Sequence, residues 1–288
     1  MAKTAPSRHI ARPVIALVYD FDGTLSPSNM QEYTVLPKLG IAPKDFWAEV
    51  RATAENNQAE DILTYMRLMF EKIDKAGLAI KREDMRDLGQ HVKLFEGVQT
   101  WFERVNAHVN KRTKGAVAIK HYVISAGLKE ILEGVPIYGA FQNVFASTYH
   151  YDQWGKATFV DRLVNDTSKT QYLFRINKGV EDLNRSANEH MADDDRPIPF
   201  SQMIYFGDGD TDVPSFTVTR KNGGHAVAVF KPGEPSAKCR MLFDKQRVDY
   251  YAPADYSSNS DLERGVKLIL DKVIAGILLD MEIENLKP

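Results

Sequence analysis

Two carboxylates, Asp20 and Asp22, stand one residue apart in VYDFDGTLSP, behind a short apolar run and ahead of a glycine and a threonine. Paired acids suit two kinds of chemistry. One carboxylate can act as a nucleophile while its neighbour moves protons, or both can contribute oxygens to a hard divalent cation. Further polar groups follow apolar stretches in the same way. HYVISAG places Ser125 directly behind Val123 and Ile124, and NDTSKTQYLF places Lys169 at the first turn of an expected helix. MIYFGDGDTDVPSF places Asp208, Asp210 and Asp212 behind a mostly apolar run. Singly these signals are weak, since a D-x-D is often a solvated strand end and a G-D-G can be a plain turn. Their order, strand contexts and spacing together are far more specific.

Such groups meet only if the strands before them share one sheet and end on one side of it. Val14 to Tyr19 reads as a buried strand and AVAIKHYVIS as a second strong one, with further strands at 143–147, 158–164, 203–206, 226–230 and 248–251. Helices are expected over GVQTWFERVNAHVNK and over about 169–184, 211–221, 235–245 and 260–280. The alternation predicts βαβ units and a doubly wound, mostly parallel α/β sheet. Ligands of such sheets bind outside the carboxyl ends of the strands. Asp20, Asp22, Ser125 and Asp208 would converge there, with Lys169 reaching in from a helix start.

Residues 28–93 have another character. DFWAEVRATAE reads as helix, and Ile62, Met66, Met69, Phe70 and Ile73 fall at helical spacing, with Gly77 as a stop. This all-helical block interrupts the α/β pattern after its first strand, so the expected division is a core of 1–27 and 94–288 and an inserted helical domain of 28–93.

At 288 residues, 43% hydrophobic and 26% charged, the chain has ample material for a core. A net charge of −2 points to no nucleic-acid partner and no anionic membrane. One cysteine, Cys239, excludes an internal disulfide framework and a cysteine-zinc cluster, and a reducing, cytoplasmic setting is expected. Residues 1–12 read as a loose tail rather than a leader, because the apolar run behind them is short and leads into acids. No stretch is long enough to span a bilayer. The run Asp193-Asp194-Asp195 before RPIP reads as a solvated loop. The histidines show no ligand-like pairing and are expected to be structural or superficial; Trp47, Trp101 and Trp154 are expected to be packing residues.

Together the polar groups resemble the signature of the haloacid dehalogenase-like (HAD) phosphatases. Motif one of that superfamily, D-x-D-G-T, is matched by Asp20 to Thr24, and motif two, a strand ending in Ser or Thr, by Ser125. Motif three is a lysine at a helix start, here Lys169, and motif four, G-D-G-x-x-D, is matched by Gly207, Asp208, Gly209 and Asp212. The resemblance covers residues 14–27 and about 95–260. The helical insertion sits where the family places its C1 cap, as in the phosphoserine-phosphatase-like branch.

The resemblance implies a HAD-like Rossmannoid core carrying a helical cap, and a Mg²⁺-dependent phosphatase acting on a small phosphorylated metabolite. Asp20 would be the nucleophile that becomes a phosphoaspartate and Asp22 the acid/base. Mg²⁺ would be held by the side chains of Asp20 and Asp208 and the backbone carbonyl of Asp22, with Asp212 holding its water shell or coordinating it. Lys169 and the Ser125 hydroxyl would bind phosphoryl oxygens, and Gly23 would let the backbone approach. Lys178, in INKGV, competes for the motif-three role, but nine residues into the helix it would sit two to three turns from the strand end, so Lys169 is favoured. Asp210 is assigned no role. A phosphotransferase or mutase using the same phosphoaspartate is the alternative among enzymes, and a phosphate-binding regulatory protein the alternative outside them. A dehalogenase is disfavoured because such relatives lack the acid/base that Asp22 supplies. Phosphoserine phosphatases carry a glutamate where this chain has Asn29, so L-phosphoserine is not expected to be the best substrate. Glu32 would share a helical face with Asn29.

Overall fold

The computed structural model describes residues 12–78 and 80–286. Of the expected tail, residues 1–11 lie outside this range, and Arg12 donates to the Val117 carbonyl at 3.0 Å.

The run VIALVY forms β1 (Val14–Tyr19), whose last five residues are buried. An unbroken apolar run suits a strand covered on both faces, and β1 lies at the centre of a seven-stranded sheet ordered β4-β3-β2-β1-β5-β6-β7. The other strands are β2 (Ala118–Leu128), β3 (Asn143–Tyr151), β4 (Ala157–Arg162), β5 (Met203–Gly207), β6 (His225–Phe230) and β7 (Tyr250–Pro253). All neighbours are parallel except β3 and β4. Successive side chains of β1 serve opposite layers. Ile15, Leu17 and Tyr19 join the core that includes Trp101 and Val105 of α6 (Val98–Thr113) and Val266 and Leu270 of α11 (Asp261–Asn285). Ala16 and Val18 join the core that includes Leu173 of α8 (Lys169–Lys178), Phe216 of α9 (Val213–Lys221) and Leu242 of α10 (Ala237–Asp244). The sheet is thus mostly parallel and helix-covered on both faces, as expected. Register pairs Tyr19 with Val123 and with Phe206, so the residues that follow all three lie side by side at the carboxyl end of the sheet.

Between β1 and α6 the described chain forms α1 (Met30–Tyr33), α2 (Val35–Leu39), α3 (Pro43–Asn57), α4 (Asp61–Lys75) and α5 (Arg82–Leu88). On α4, Met66, Met69 and Ile73 are buried and Ile62 and Phe70 partly so, following the helical spacing. The two ends of this segment meet: Phe95 N–H donates to Leu25 O at 3.0 Å, and the Tyr256 hydroxyl to Thr24 O at 2.8 Å. Two tyrosines join α4 to the sheet, Tyr65 donating to Ala126 O at 2.8 Å and Tyr149 to Met66 O at 2.7 Å. A short helix, α7 (Lys129–Leu132), follows β2.

The strand expected at 158–164 is β4, the antiparallel partner of β3 in the otherwise parallel sheet. Its turn is built by Asp152, whose Oδ1 accepts from the N–H groups of Trp154 and Lys156 at 2.9 Å. The helix expected to run to 184 ends at Lys178, because Gly179 takes a left-handed conformation at φ 64° and caps it. Trp154 is not a packing residue: it is 71% exposed at the β3–β4 turn, whereas Trp101 is fully buried. The strand expected at 248–251 sits two residues later. Asp193–Asp195 forms an exposed single turn, and Asp193 pairs with Arg196 at 2.7 Å. No helix among the described residues is long and apolar enough to cross a membrane.

Candidate active site

The chain leaves β1 through a tight turn in which Leu25 and Ser26 N–H donate to Phe21 O and Gly23 N–H donates to Ser26 O. Asp20 N–H still donates to Phe206 O at 2.9 Å, which carries the sheet one residue past β1 and fixes the Asp20 backbone. Gly23 has φ 78°, and a Cβ there would stand 2.5 Å from Cγ of Asp208. Glycine is required at this position both by conformation and by space. Asp22 Oδ1 accepts from Met30 N–H at 2.9 Å, so the start of α1 aims the second carboxylate.

Behind the turn, a buried polar chain anchors the last residue of β1. Trp101 Nε1–H donates to the Tyr19 oxygen at 2.9 Å, and the Tyr19 hydroxyl donates to His121 Nδ1 at 3.1 Å. His121 Nε2–H then donates to Asn106 Oδ1 at 2.8 Å; this tautomer is the one that satisfies every member. Burial holds His121 neutral, its pKa lowered to about 3.

Ser125 is buried in β2 with its Oγ accepting from Gly127 N–H at 3.0 Å. Lys169 opens α8 and is 1% exposed. Asn165 sets up that start, its carbonyl accepting from Lys169 N–H at 2.9 Å and its side chain from Ser168 N–H at 2.8 Å. Lys169 Nζ lies 2.8 Å from Asp212 Oδ1 and 3.2 Å from Asp20 Oδ1. Lys178 is elsewhere: its Nζ donates to the carbonyls of Ala187 and Glu189 at 2.7 and 2.8 Å, pinning the loop after α8.

Asp212 is fully buried and saturated with donors. Oδ1 accepts from Lys169 Nζ and from the Tyr205 hydroxyl, each at 2.8 Å, and Oδ2 accepts from Asp208 N–H at 3.0 Å and Gly209 N–H at 3.4 Å. Tyr205 escaped sequence reasoning, although a hydroxyl inside the apolar strand MIYFG is a group that must find a partner. Lys238 of α10 was also missed; its Nζ lies 3.2 Å from Asp210 Oδ2.

Asp20, Asp22, Ser125, Lys169 and Asp208 line one open cavity of about 510 Å³, together with Asn29, Glu32 and Ile62 from the helical segment, Asp210 from the turn after β5 and Lys238 from α10. Its electrostatics are those of crowded acids. Burial raises Asp20 to about 7; Lys169 opposes this, and Asp212 and Asp208 add to it. Burial and Asp212 likewise raise Asp208 to about 6. Asp22 is held well above the usual carboxylate range by burial and then by Asp20. Burial acts to lower Lys169, but Asp20 and Asp212 outweigh it and keep the ammonium charged.

A divalent cation fits this cluster. Oxygens of Asp20, Asp208 and Asp212 all lie within 4.8 Å of one another, and hard carboxylate oxygens are the donors Mg²⁺ takes. Among the described residues these acids outnumber the one cation buried among them, so added positive charge relieves their repulsion.

Comparison with known proteins agrees with this architecture. An uncharacterized protein of Borreliella burgdorferi is 28% identical over 281 aligned positions, covering 86% of this chain and 94% of the relative. Among solved structures, a HAD family hydrolase from Salmonella enterica serovar Typhi matches with a TM-score of 0.54 at 14% identity, over 87% of this chain and 73% of that one. A phospho-aspartyl intermediate analogue of phosphoserine phosphatase matches with a TM-score of 0.53 at 14% identity, over 89% of this chain and 99% of that one. At such identities the structural likeness is one of fold. In sequence, residues 17–217 match the haloacid dehalogenase-like hydrolases, a span that holds the end of β1, Asp20, Ser125, Lys169 and the Asp208–Asp212 turn, and the chain belongs to that family.

Proposed function

We propose that this chain is a Mg²⁺-dependent phosphatase that hydrolyses a small phosphomonoester through a phosphoaspartate on Asp20. The observation that carries the reading is the Lys169 ammonium set between Asp20 and Asp212 in the cavity that Ser125 and Asp22 also line. Lys169 and the Ser125 hydroxyl bind phosphoryl oxygens and stabilise the charge that builds on them. An Asp20 oxygen forms the bond to phosphorus as the ester oxygen leaves, and Asp22, whose pKa burial raises, gives that oxygen its proton. The Asp22 carboxylate then takes a proton from water, whose oxygen attacks phosphorus and frees Asp20 and inorganic phosphate.

Asp20 and Asp208 would hold the Mg²⁺ with the Asp22 carbonyl, while Asp212, already saturated by four donors, orients the cluster or the ion's water shell. When bound, the ion neutralises the repulsion between the Asp20 carboxylate and an anionic phosphate. Residues 28–93 act as a cap over a core of 1–27 and 94–288. Asn29, Glu32 and Ile62 bring this segment to the cavity, which supports a part in substrate choice.

The test is direct. Purified chain should hydrolyse p-nitrophenyl phosphate with Mg²⁺ and lose that activity in EDTA. Asp20→Asn, whose amide is a poor nucleophile, should be inactive, and full activity in that variant would overturn the mechanism.

A further inference from the structure

Ser125 and Ala126 both line the cavity, and just there β2 departs from a regular ladder, its register on β3 shifting between Ser125 and Leu128. Such an irregularity frees backbone groups that must find other partners. The Ala126–Gly127 peptide has found two. Its N–H donates to Ser125 Oγ at 3.0 Å, and its carbonyl accepts from the Tyr65 hydroxyl of α4 at 2.8 Å. A trans peptide is a rigid plane whose carbonyl and N–H point opposite ways. The tyrosine therefore grips one side of the plane that holds the serine on the other. With its oxygen accepting from Gly127, the Ser125 hydroxyl is left to donate its own proton.

The residues of this peptide do not fix its plane by themselves. Gly127 has a wide choice of backbone conformation, and a Cβ there would collide with the Met30 side chain and stand 3.1 Å from Asp22 Oδ2. Tyr65, by contrast, is buried behind Ala126 rather than in the cavity lining, and it meets the Trp47 ring edge-on at 5.7 Å between centroids. Burial, with Asp22 adding to it, raises its pKa above the ordinary value, so the hydroxyl stays a donor.

We propose that Tyr65 is a positioning residue for the Ser125 hydroxyl, so that the helical segment sets the aim of a group at the reacting end through the Ala126–Gly127 peptide. This rests on the phosphatase reading, in which that hydroxyl donates to a phosphoryl oxygen. Without the tyrosine hydroxyl the peptide turns more freely, and Gly127 N–H holds Ser125 Oγ less firmly. Tyr149 supplies the comparison: its hydroxyl donates to Met66 O, so Tyr149→Phe loosens the same helix without removing the bond to Ala126.

Hydrolysis of p-nitrophenyl phosphate with Mg²⁺ is measured for the wild type, Tyr65→Phe, Ser125→Ala and the double variant, with melting temperatures alongside. Tyr65→Phe keeps the ring and should lower kcat by about ten- to a hundredfold, the scale of a misplaced catalytic contact. In the Ser125→Ala background the same change should cost less than about twofold, because the group it positions is gone. Tyr149→Phe should cost the same factor in both backgrounds. Tyr65→4-aminophenylalanine, which restores a donor at the same place, should recover most of the lost kcat. A wild-type kcat in Tyr65→Phe, equal losses with and without Ser125, or no recovery with the amine overturns the proposal and leaves the phosphatase reading standing. A Tyr65→Phe chain that melts below the assay temperature marks the hydroxyl as a support of the fold and overturns it too. Failure of the wild type to hydrolyse the ester removes both.

Discussion

The Lys169 ammonium lies 3.2 Å from Asp20 Oδ1, joining the first residue of α8 to the first residue beyond β1. That contact makes Lys169 part of the same charge unit as Asp20, the proposed nucleophile. Removing it would leave Asp20 facing Asp208 and Asp212 without the opposing charge that Lys169 supplies.

Lys169→Ala should therefore lower turnover by orders of magnitude, on the scale of about 3–4 kcal/mol for a lost charged contact to the transition state. Lys178→Ala removes two bonds to loop carbonyls and should change turnover by no more than about twofold. Steady-state assays of the two variants side by side decide the matter, and the reverse order would overturn the assignment of Lys169.

Tyr205 tests whether Asp212 acts through its donors. Tyr205→Phe keeps the ring and removes one of the two donors to Oδ1. Groups that orient metal-site ligands typically contribute about 10–100-fold in metal affinity or activity. Half-saturation by Mg²⁺, read from hydrolysis and from the rise in melting temperature on adding the ion, should move to higher concentration by that order. An unchanged Mg²⁺ dependence would sink the idea.

Gly23 joins backbone conformation to site geometry. Gly23→Ala puts an L-residue at φ 78°, costing about 1–2 kcal/mol, and sets its Cβ against the Asp208 carboxylate. A lower melting temperature together with weaker Mg²⁺ dependence is expected; a variant that melts and responds to Mg²⁺ like the wild type would contradict it.

His121 sets a pH dependence of stability. Its folded pKa is lowered to about 3, below the value of about 6.5 for an unfolded histidine. Between those values the unfolded chain binds a proton that the folded chain excludes, so stability falls as pH falls through this window. The expected slope from this residue is about 1.4 kcal/mol per pH unit, and it vanishes above the upper value. Denaturant melts of the wild type and His121→Gln from pH 7 to pH 4 check this: the variant should show the shallower slope.

Much of the site was legible because its residues follow strands. Asp20, Ser125 and Asp208 each come at or after the end of an apolar run, and such runs announce buried parallel strands by composition alone. Lys169 was placed by the helix pattern behind it, which also separated it from Lys178. What could not be read were contacts made only in three dimensions. Nothing in MIYFG says that Tyr205 meets Asp212, and nothing near Tyr19 names His121, Trp101 and Asn106 as its partners. The direction of β4 could not be read, because an apolar pattern is blind to direction and the Asp152–Gly155 turn that sets it shows only in three dimensions. Helix α8 was drawn too long because Gly179 was not read as its cap.

The order of strands across the sheet has a consequence for the chain as it is made. β1 is flanked by β2 and β5, which are synthesised much later. A nascent chain therefore carries Asp20 behind an apolar strand with one bare edge until Met203–Gly207 leaves the ribosome, a state prone to association. Asp208 and Asp212 arrive with that same segment. The step that closes the last edge of β1 is also the step that first crowds the carboxylates, so the apolar gain of strand pairing meets their repulsion in a single event. Chains stopped short of β5 would be spared the repulsion but left with an open, adhesive sheet, the kind of product chaperones and proteases intercept.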